Sequence, residues 1–442
     1  MASLEELKVV LEEEGLMARK TDFESRYSSA VRNNRVRELL EIETPQITDL
    51  TDILEIGNGG RLCAVRTDLT PGVDNHKKHI VAGLILRGFL KERILRGGID
   101  TLVDGGNVNS AKALKYHTKR LGLKGIYVMS RLFRQKPEII DMLESDHFKV
   151  IIAPKVEGVS IETEFYSHVL KLMKDREFRR GKYCLWHANS GGKAAYPLGL
   201  EIAENLEEVP DHIVSCLGAG STLEGLQIPI QDYFRAKGRA PSIVIAEHEL
   251  SPLFAKFIRY RPSSGSVPCV ERTVKDVDPD FYEKVEGVPH IAIGPHYQEI
   301  NPLISENSIA RIDEVVQYSE YDWMSMQKYL KQRGINVGNS SAANLNVAAN
   351  LANEGNNVLT VIFEPFREFY KRRESFLRDP IEWLFAWRTP AQKAGLVAAA
   401  ALYLAAITYC FFNPPPDNAP DYGGMSFSKS TIEASKEFFN SN

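Results

Sequence analysis

Short apolar runs, several of them rich in β-branched residues, alternate along the middle of the chain with stretches in which apolar residues recur at helical spacing. The short runs predict strands and lie at residues 61–66, 101–103, 125–129, 149–153, 212–215, 242–246 and 357–362. Residues 80–94 and 111–121 are the clearest helical stretches. Strands that alternate with helices in this way predict an α/β fold with mostly parallel, twisted sheets and helices on both faces.

The two ends of the chain depart from this pattern. Residues 1–40 are charged and carry leucine and valine near helical spacing, which predicts a helical N-terminal extension of a core at residues 41–375. The C-terminal segment, residues 376–442, contains the uncharged run AGLVAAAALYLAAITYCFF at residues 394–412. This run reaches the lower limit of the length that a transmembrane helix needs.

Charged residues beside this run predict its orientation. Arg388 and Lys393 precede the run, whereas Asp417 and Asp421 follow it. Because positive flanks stay on the cytoplasmic side, the core is expected in the cytoplasm, anchored to a membrane by a single C-terminal helix. The alternative is a helix that is buried at a subunit interface.

Length and composition narrow the possible functions. A chain of 442 residues predicts two packed subdomains rather than one small core. The net charge of −4 argues against a nucleic-acid partner, because no strong basic field is available to pair with phosphates. Five cysteines without a CxxC pair, and histidines without ligand spacing, predict neither a disulfide framework nor a metal site.

Four short stretches of small or polar residues stand where predicted strands and helices meet. They are the adjacent lysines Lys77 and Lys78, a small-residue loop at 104–110, a glycine-rich loop at 218–222 and a small polar turn at 338–343. A lysine amine can form an imine with an aldehyde, and a glycine-rich loop before a helix can bind phosphate through its backbone N–H groups. Together these stretches predict a site for a phosphorylated aldehyde cofactor.

The order of these motifs resembles that of the fold-type II pyridoxal-phosphate enzymes, which include cysteine synthase and the tryptophan synthase β chain. The resemblance covers about residues 40–370 and is clearest in DGGNVNS at 104–110, PLGLEI at 197–202 and GAGST at 218–222. It implies pyridoxal 5′-phosphate as the cofactor, a small-molecule amino-acid substrate and a homodimer. It also implies a smaller domain, at about residues 100–190, that is inserted into a larger one, with the cofactor in the cleft between them.

The resemblance further implies which residues would hold the cofactor. Lys77 would form the imine, and Lys78 is the alternative. Either Asn109 or Asn107 would contact the ring hydroxyl, depending on how the 104–110 segment is matched to the family. The residues implied to cradle the phosphate are Gly218, Ala219, Gly220, Ser221 and Thr222.

Substrate binding and the electronics of the ring are implied at neighbouring positions. Gly106 and Ser110 would bind the substrate carboxylate. Glu364 would pair with the ring nitrogen, as an acidic residue does in some deaminases of the family. Cysteine synthases have a serine after the last strand, where this chain has Glu364 and Pro365.

These motifs support chemistry on an amino acid, and a cysteine-synthase-like β-replacement is the leading expectation, which makes the chain a lyase or transferase. β-Elimination, deamination and racemisation remain alternatives, because the cofactor carries the chemistry and the surrounding residues select the outcome. The rival hypothesis is a non-catalytic, membrane-attached protein that kept the fold. The loose lysine motif, NHKKH at 75–79, and Pro365 favour that rival.

Overall fold

The computed structural model describes residues 4–17, 22–91, 93–94, 98–155, 164–249, 251–255, 258, 260–261 and 304–366. These residues fall within one compact unit. The transmembrane run predicted at 394–412 lies outside them. Among the helices that the structure describes, none is both long and apolar enough to cross a bilayer.

Two sheets form the framework of the described chain. The strands are β1 (Gln46–Asp49), β2 (Arg61–Arg66), β3 (Thr101–Gly106), β4 (Lys124–Met129), β5 (Phe148–Ile152), β6 (Lys182–Cys184), β7 (His212–Cys216), β8 (Ser242–His248), β9 (Tyr260–Arg261), β10 (Glu314–Tyr318) and β11 (Asn357–Ile362). The larger sheet has the order β1-β2-β11-β7-β8-β10-β9, and the smaller one has the order β5-β4-β3-β6. Only the β1–β2 pair among these is antiparallel, which confirms the predicted α/β class with mostly parallel sheets.

Helices connect the strands as crossover units. They are α1 (Leu4–Glu13), α2 (Phe23–Arg32), α3 (Asn34–Leu40), α4 (Lys77–Leu90), α5 (Val108–Arg120), α6 (Pro137–Leu143), α7 (Glu164–Lys174), α8 (Arg176–Arg179), α9 (His187–Glu204), α10 (Ile228–Arg235), α11 (Glu306–Ile309), α12 (Glu320–Gln332) and α13 (Asn339–Asn353). Several begin at side-chain caps. Ser319 and Asp322, for example, form a reciprocal capping box at the start of α12.

The N-terminal helices pack into the core of the unit. Leu7, Leu11 and Tyr27 are fully or almost fully buried in the same apolar cluster as α4. Arg87 of α4 donates two hydrogen bonds of 2.7 Å to the carboxylate of Glu24 in α2. The N-terminal helices, which the sequence predicted as an extension, therefore pack against α4 and stabilise its position.

Two predicted boundaries are wrong. The loop expected at 104–110 is almost absent, because Asp104–Gly106 complete β3 and α5 starts at Val108. All six residues of β3 are buried, so this small and polar segment pairs with β4 instead of turning. The helix expected at 80–94 begins at Lys77 and ends at Leu90.

The predicted motifs lie at the carboxyl ends of three parallel strands. Gly106 ends β3, residues 218–222 follow β7, and Glu364 follows β11. In α/β proteins with parallel sheets, ligands bind beyond the carboxyl ends of the strands. This placement brings segments from both sheets to one site, and the smaller sheet is built from residues 101–184, within the region expected for an inserted domain.

Candidate active site

A single cavity brings together segments that are far apart in the sequence. Its empty volume is about 750 Å³, including the solvent-filled space at its opening. The lining residues are His76, Lys77, Gly106, Asn107, Asn109, Ser110, Phe165, Tyr166, His187, Cys216, Gly218, Ala219, Gly220, Ser221, Thr222, Ser340, Phe363 and Glu364. Every site residue predicted from the sequence lies on this wall, with the exception of Lys78.

The turn before α4 places Lys77 in the cavity. Asn75 is fully buried, and its side-chain oxygen accepts a hydrogen bond of 2.9 Å from the backbone N–H of Lys77. Its side-chain amide donates a bond of 3.1 Å to the carbonyl of Val73. The Nζ atom of Lys77 donates a hydrogen bond of 2.9 Å to Oγ of Ser221 in the glycine-rich loop.

Lys77 is an unusually acidic lysine. Removal of water by the surrounding protein lowers the pKa of its amine to about 8, although the negative charge of Asp104 opposes this shift. A lysine on the protein surface has a pKa of about 10.4 and is almost fully protonated at neutral pH. A larger fraction of Lys77 is therefore neutral, which is the nucleophilic form.

This lowered pKa predicts the pH dependence of cofactor capture. The rate at which the protein without cofactor binds pyridoxal phosphate covalently should rise from pH 6.5, bend at about pH 8 and then level off, because only the neutral amine attacks. The second ionisation of the phosphate, at about pH 6, is complete before this range. Stopped-flow absorbance at ~410 nm, where lysine-bound pyridoxal absorbs, measures the rate. A rate that still rises tenfold per pH unit between pH 8 and 10 would contradict the lowered pKa.

Lys78 points to a different environment. Its side chain is fully buried, and Nζ donates a hydrogen bond of 2.8 Å to the carbonyl of Pro71. The same atom lies 3.6 Å from the carboxylate of Glu41 and 5.1 Å from the centre of the Tyr116 ring. These contacts give Lys78 a structural role outside the cavity wall.

The glycine-rich loop begins a helix at the cavity wall. The helix starts at Ser221, runs through a π-helical turn at Leu223–Gln227 and continues as α10. The first N–H groups of a helix lack intrahelical partners and carry the positive end of its dipole, which suits them to an anion. Gly220 has a φ of 86°, and a Cβ atom there would lie 2.6 Å from Cγ1 of Ile304. The loop therefore requires glycine at this position for two independent reasons.

The junction of β3 and α5 forms another part of the wall. The side-chain oxygen of Asn109 is buried and has no hydrogen-bond partner among the described residues. Asn107, by contrast, is exposed. Oγ of Ser110 is already engaged, because it donates a 3.0 Å bond to the carbonyl of Asn107 and lies 2.5 Å from the hydroxyl of Tyr127. Asn109 thus offers a buried oxygen that a ligand in the cavity can satisfy.

Cys216, Ser340 and Glu364 line the cavity from the larger sheet. Burial raises the pKa of the Cys216 thiol to about 12, so the sulfur is a neutral thiol at physiological pH. Glu364 is 8% exposed, and its backbone carbonyl accepts a 2.8 Å hydrogen bond from the N–H of Gly338. A Cβ atom at Gly338 would lie 2.8 Å from Cγ of Glu364, so the glycine before α13 makes room for the Glu364 side chain.

Several lining residues were not predicted as site residues from the sequence. Phe165, Tyr166 and His187 come from the smaller-sheet region, and Cys216 comes from β7. Cys216 could have been predicted as a site residue, because it stands two residues before the glycine-rich loop. His187 was harder to predict, since it follows the short strand β6, which the sequence pattern did not predict.

Comparison with known proteins identifies the family. Residues 45–364 match the model of a family described as pyridoxal-phosphate dependent enzyme. The chain belongs to this family. No curated protein sequence matches the chain significantly. The cofactor of the family is pyridoxal 5′-phosphate, as predicted from the motifs.

Solved structures of this pyridoxal-phosphate family share the fold. An O-acetylserine dependent cystathionine beta-synthase from Helicobacter pylori is 22% identical, with a TM-score of 0.55 over 74% of this chain and 94% of that one. A cysteine synthase from Entamoeba histolytica is 18% identical, with a TM-score of 0.57 over 77% and 90%. An O-ureido-L-serine synthase is 17% identical, with a TM-score of 0.55 over 78% and 95%. The chain is thus similar to fold-type II enzymes of the cysteine synthase type.

The residues in the cavity fit the cofactor of this family. An amine of lowered pKa suits its aldehyde, and the helix start at Ser221 suits its phosphate. The unpartnered oxygen of Asn109 suits a hydroxyl donor. The loop has no side chain at Gly220, where a Cβ atom would collide with Ile304. Three different groups of the cofactor therefore have complementary groups on the cavity wall.

Proposed function

We propose that this protein catalyses a pyridoxal-phosphate-dependent β-replacement on an amino acid, as the cysteine synthase type of the family does. The observation that carries the proposal is the position of Lys77. Its amine, with a pKa of about 8, lies in the cavity that the glycine-rich loop lines, 2.9 Å from Ser221. A nucleophilic amine beside an anion-binding helix start is the arrangement that this cofactor requires.

Lys77 has two tasks in this proposal. Nζ would hold the aldehyde of the cofactor covalently, and the same atom would accept the proton from the α carbon of the bound amino acid. When bound, the cofactor supplies an electron sink that makes this proton acidic and allows a β substituent to leave. Nζ of Lys77 can hold the proton because its pKa of about 8 lies close to physiological pH.

The remaining residues position the cofactor and the substrate. We assign the phosphate to residues 218–222 and the ring hydroxyl to Asn109, since Asn107 is exposed and Asn109 has an unsatisfied buried oxygen. We assign the substrate carboxylate to the backbone at Gly106 and the start of α5. The hydroxyl of Ser110, the side chain predicted for this task, is already held by Tyr127 and Asn107.

Glu364 supports the runner-up reactions. A carboxylate beside the ring nitrogen favours its protonated form and so strengthens the electron sink more than a serine would. β-Elimination, deamination and racemisation benefit from a stronger sink. The solved structures named above include an O-acetylserine dependent enzyme, and this favours β-replacement as the first reaction to test.

One assay separates these reactions. The holoenzyme is incubated in D₂O with L-serine or O-acetyl-L-serine, with and without a thiol nucleophile. Replacement gives a thioether amino acid by mass spectrometry, elimination gives pyruvate and ammonia, and racemisation gives the D-enantiomer. Absence of all these products, together with absence of α-proton exchange by NMR, would refute the proposal and favour the non-catalytic alternative.

Membrane attachment and dimerisation are separate parts of the proposal. They rest on the uncharged run at 394–412 and on the family resemblance. A chain truncated after Arg388 should remain catalytically active and stay in the supernatant of a high-speed spin, whereas the full chain should sediment with membranes. Full-length protein in the supernatant without detergent, with aggregation of the truncated chain, would show that the run belongs to the folded enzyme. Sedimentation equilibrium of the truncated chain tests the homodimer.

A further inference from the structure

His187 is a cavity residue without a role in the function proposed above. It is the first residue of α9 and follows Trp186, whose backbone is left-handed with a φ of 58°. His187 is 4% exposed, and it lines the cavity near the end of β3. A buried imidazole thus lies on the wall of the cavity that also contains Lys77.

Asp104 in β3 holds this histidine at two points. One carboxylate oxygen lies 3.1 Å from Nδ1 of the His187 ring and accepts a 3.3 Å hydrogen bond from the His187 backbone N–H. The ring is not aligned for a linear hydrogen bond, and such bonds often tighten only when a ligand is present. The second oxygen of Asp104 is buried without a partner among the described residues. The carboxylate therefore fixes the backbone of His187 and lies beside Nδ1, which has no hydrogen-bond partner among the described residues.

The absence of a side chain at Gly106 leaves room for the His187 ring at the cavity wall. A Cβ atom at Gly106 would lie 2.7 Å from Cε1 and 3.3 Å from Nε2 of His187. The backbone at this position is also where we assign the substrate carboxylate. Nε2 is therefore close to the substrate site, and any side chain at residue 106 would displace the ring.

The reaction needs a second proton carrier besides Lys77. Lys77 takes the α proton, but an oxygen on the β carbon leaves easily only if it is protonated or already activated. We propose that His187, oriented by Asp104, is the general acid that protonates this oxygen, and that the substrate class is therefore the unactivated β-hydroxy amino acids. This inference rests on the function proposed above.

The proton balance closes within the site. The electron pair that proton removal leaves on the α carbon forms a second bond to the β carbon, while the bond between the β carbon and oxygen breaks and its electron pair goes to the oxygen. The oxygen takes the proton from Nε2 of His187 and leaves as water. The carboxylate of Asp104 stabilises the imidazolium before this step. When a nucleophile of the thiol class adds to the β carbon, it gives its proton back to Nε2, so His187 ends as it began.

The test compares two leaving groups on one amino acid. Pyruvate or thioether formation is measured for the His187→Gln holoenzyme with L-serine, which needs an acid, and with O-acetyl-L-serine, which does not. Turnover of L-serine should fall about 10²–10³-fold, the range for loss of a general acid, and turnover of O-acetyl-L-serine should fall less than about tenfold. Asp104→Asn should show the same selectivity with a smaller loss. Equal losses for both substrates, with cofactor still bound, would overturn the inference, because a structural role does not discriminate between leaving groups.

Two further measurements do not depend on turnover of the variants. In the protein without cofactor, long-range ¹H–¹⁵N NMR should show a proton on Nδ1 of His187, and Asp104→Asn should shift the Nδ1 resonance. A ring that carries its only proton on Nε2 would overturn the role of Asp104. With wild-type enzyme, a series of O-substituted serines should show a weak dependence of rate on leaving-group basicity, whereas a steep dependence would overturn acid catalysis even if the variants do not fold.

Exchange of the α proton separates the two proposals. It depends on Lys77, so it should persist in D₂O in the His187→Gln enzyme. If the wild type shows exchange but His187→Gln leaves L-serine turnover unchanged, only the inference about His187 fails. If the wild type shows neither exchange nor covalent cofactor, the proposed function fails and this inference falls with it.

Discussion

Replacement of Lys77 with alanine should abolish the ~410 nm absorbance of lysine-bound cofactor. It should also reduce α-proton exchange by about 10²–10⁴-fold, the usual contribution of a positioned general base. The physical reason is that Lys77 supplies the one lysine amine on the described cavity wall. Absorbance spectra and exchange in D₂O, both on protein that has been dialysed against pyridoxal phosphate, measure the two effects.

Lys78→Met is the matched control for this experiment. Methionine keeps most of the apolar stem of the lysine but removes the hydrogen bond to Pro71 and the ion pair with Glu41. The variant should lower the free energy of unfolding by about 1–3 kcal/mol, because a buried carbonyl loses its donor. Its absorbance and exchange should match those of the wild type. Loss of the absorbance in Lys78→Met, with retention in Lys77→Ala, would reverse the assignment of the two lysines.

Gly220→Asp should weaken cofactor binding by at least about 10²-fold. Two charges at 4 Å interact with about 4 kcal/mol at an effective dielectric constant of about 20, and about 1.4 kcal/mol corresponds to a factor of ten. The new side chain also collides with Ile304. Gly220→Ala keeps the collision without the charge, so its affinity for the cofactor should lie between those of the wild type and Gly220→Asp. The two variants together separate the steric effect from the electrostatic effect. Equilibrium dialysis of pyridoxal phosphate gives the dissociation constants.

Gly238→Asp controls for backbone strain. Gly238 has a φ of 87°, almost the same as the 86° of Gly220, but a Cβ atom there meets nothing within 4 Å. Both variants therefore carry a similar cost for a left-handed residue, about 1–3 kcal/mol, and only Gly220→Asp should release the cofactor. Equal cofactor retention by the two variants would show that residues 218–222 are only a turn.

The sequence predicted best those parts of the site that depend on local structure. The run at 212–215 contains the β-branched residues Ile213 and Val214 and precedes two glycines, so a strand, a tight loop and a helix start follow from neighbouring residues alone. The choice between Lys77 and Lys78 is different. Every residue of α4 from Lys78 to Leu90 is buried, so no polar face shows how this helix is rotated in the protein. The rotation is set by the Asn75 hydrogen bonds and by packing against distant helices.

Other features depend on strand pairing and helix packing between distant segments, which the local composition does not indicate. Asp104–Gly106 have small and polar side chains typical of a loop, but they form the end of a strand because β3 is buried along its length. The N-terminal helices look like a charged extension, yet Leu7 and Tyr27 belong to the core. Asp104 and His187 contact each other although they are 83 positions apart in the sequence, and no local pattern indicates this contact.

Reductive trapping shows directly whether Lys77 carries the cofactor. The full-length holoenzyme is treated with borohydride, which makes the bond between lysine and cofactor permanent, and is then digested for peptide mapping by mass spectrometry. We expect the absorbance at ~410 nm to disappear and the pyridoxyl group to be found on Lys77. A pyridoxyl group on Lys78 or on a lysine outside the cavity, or no trapped cofactor at all, would contradict this expectation.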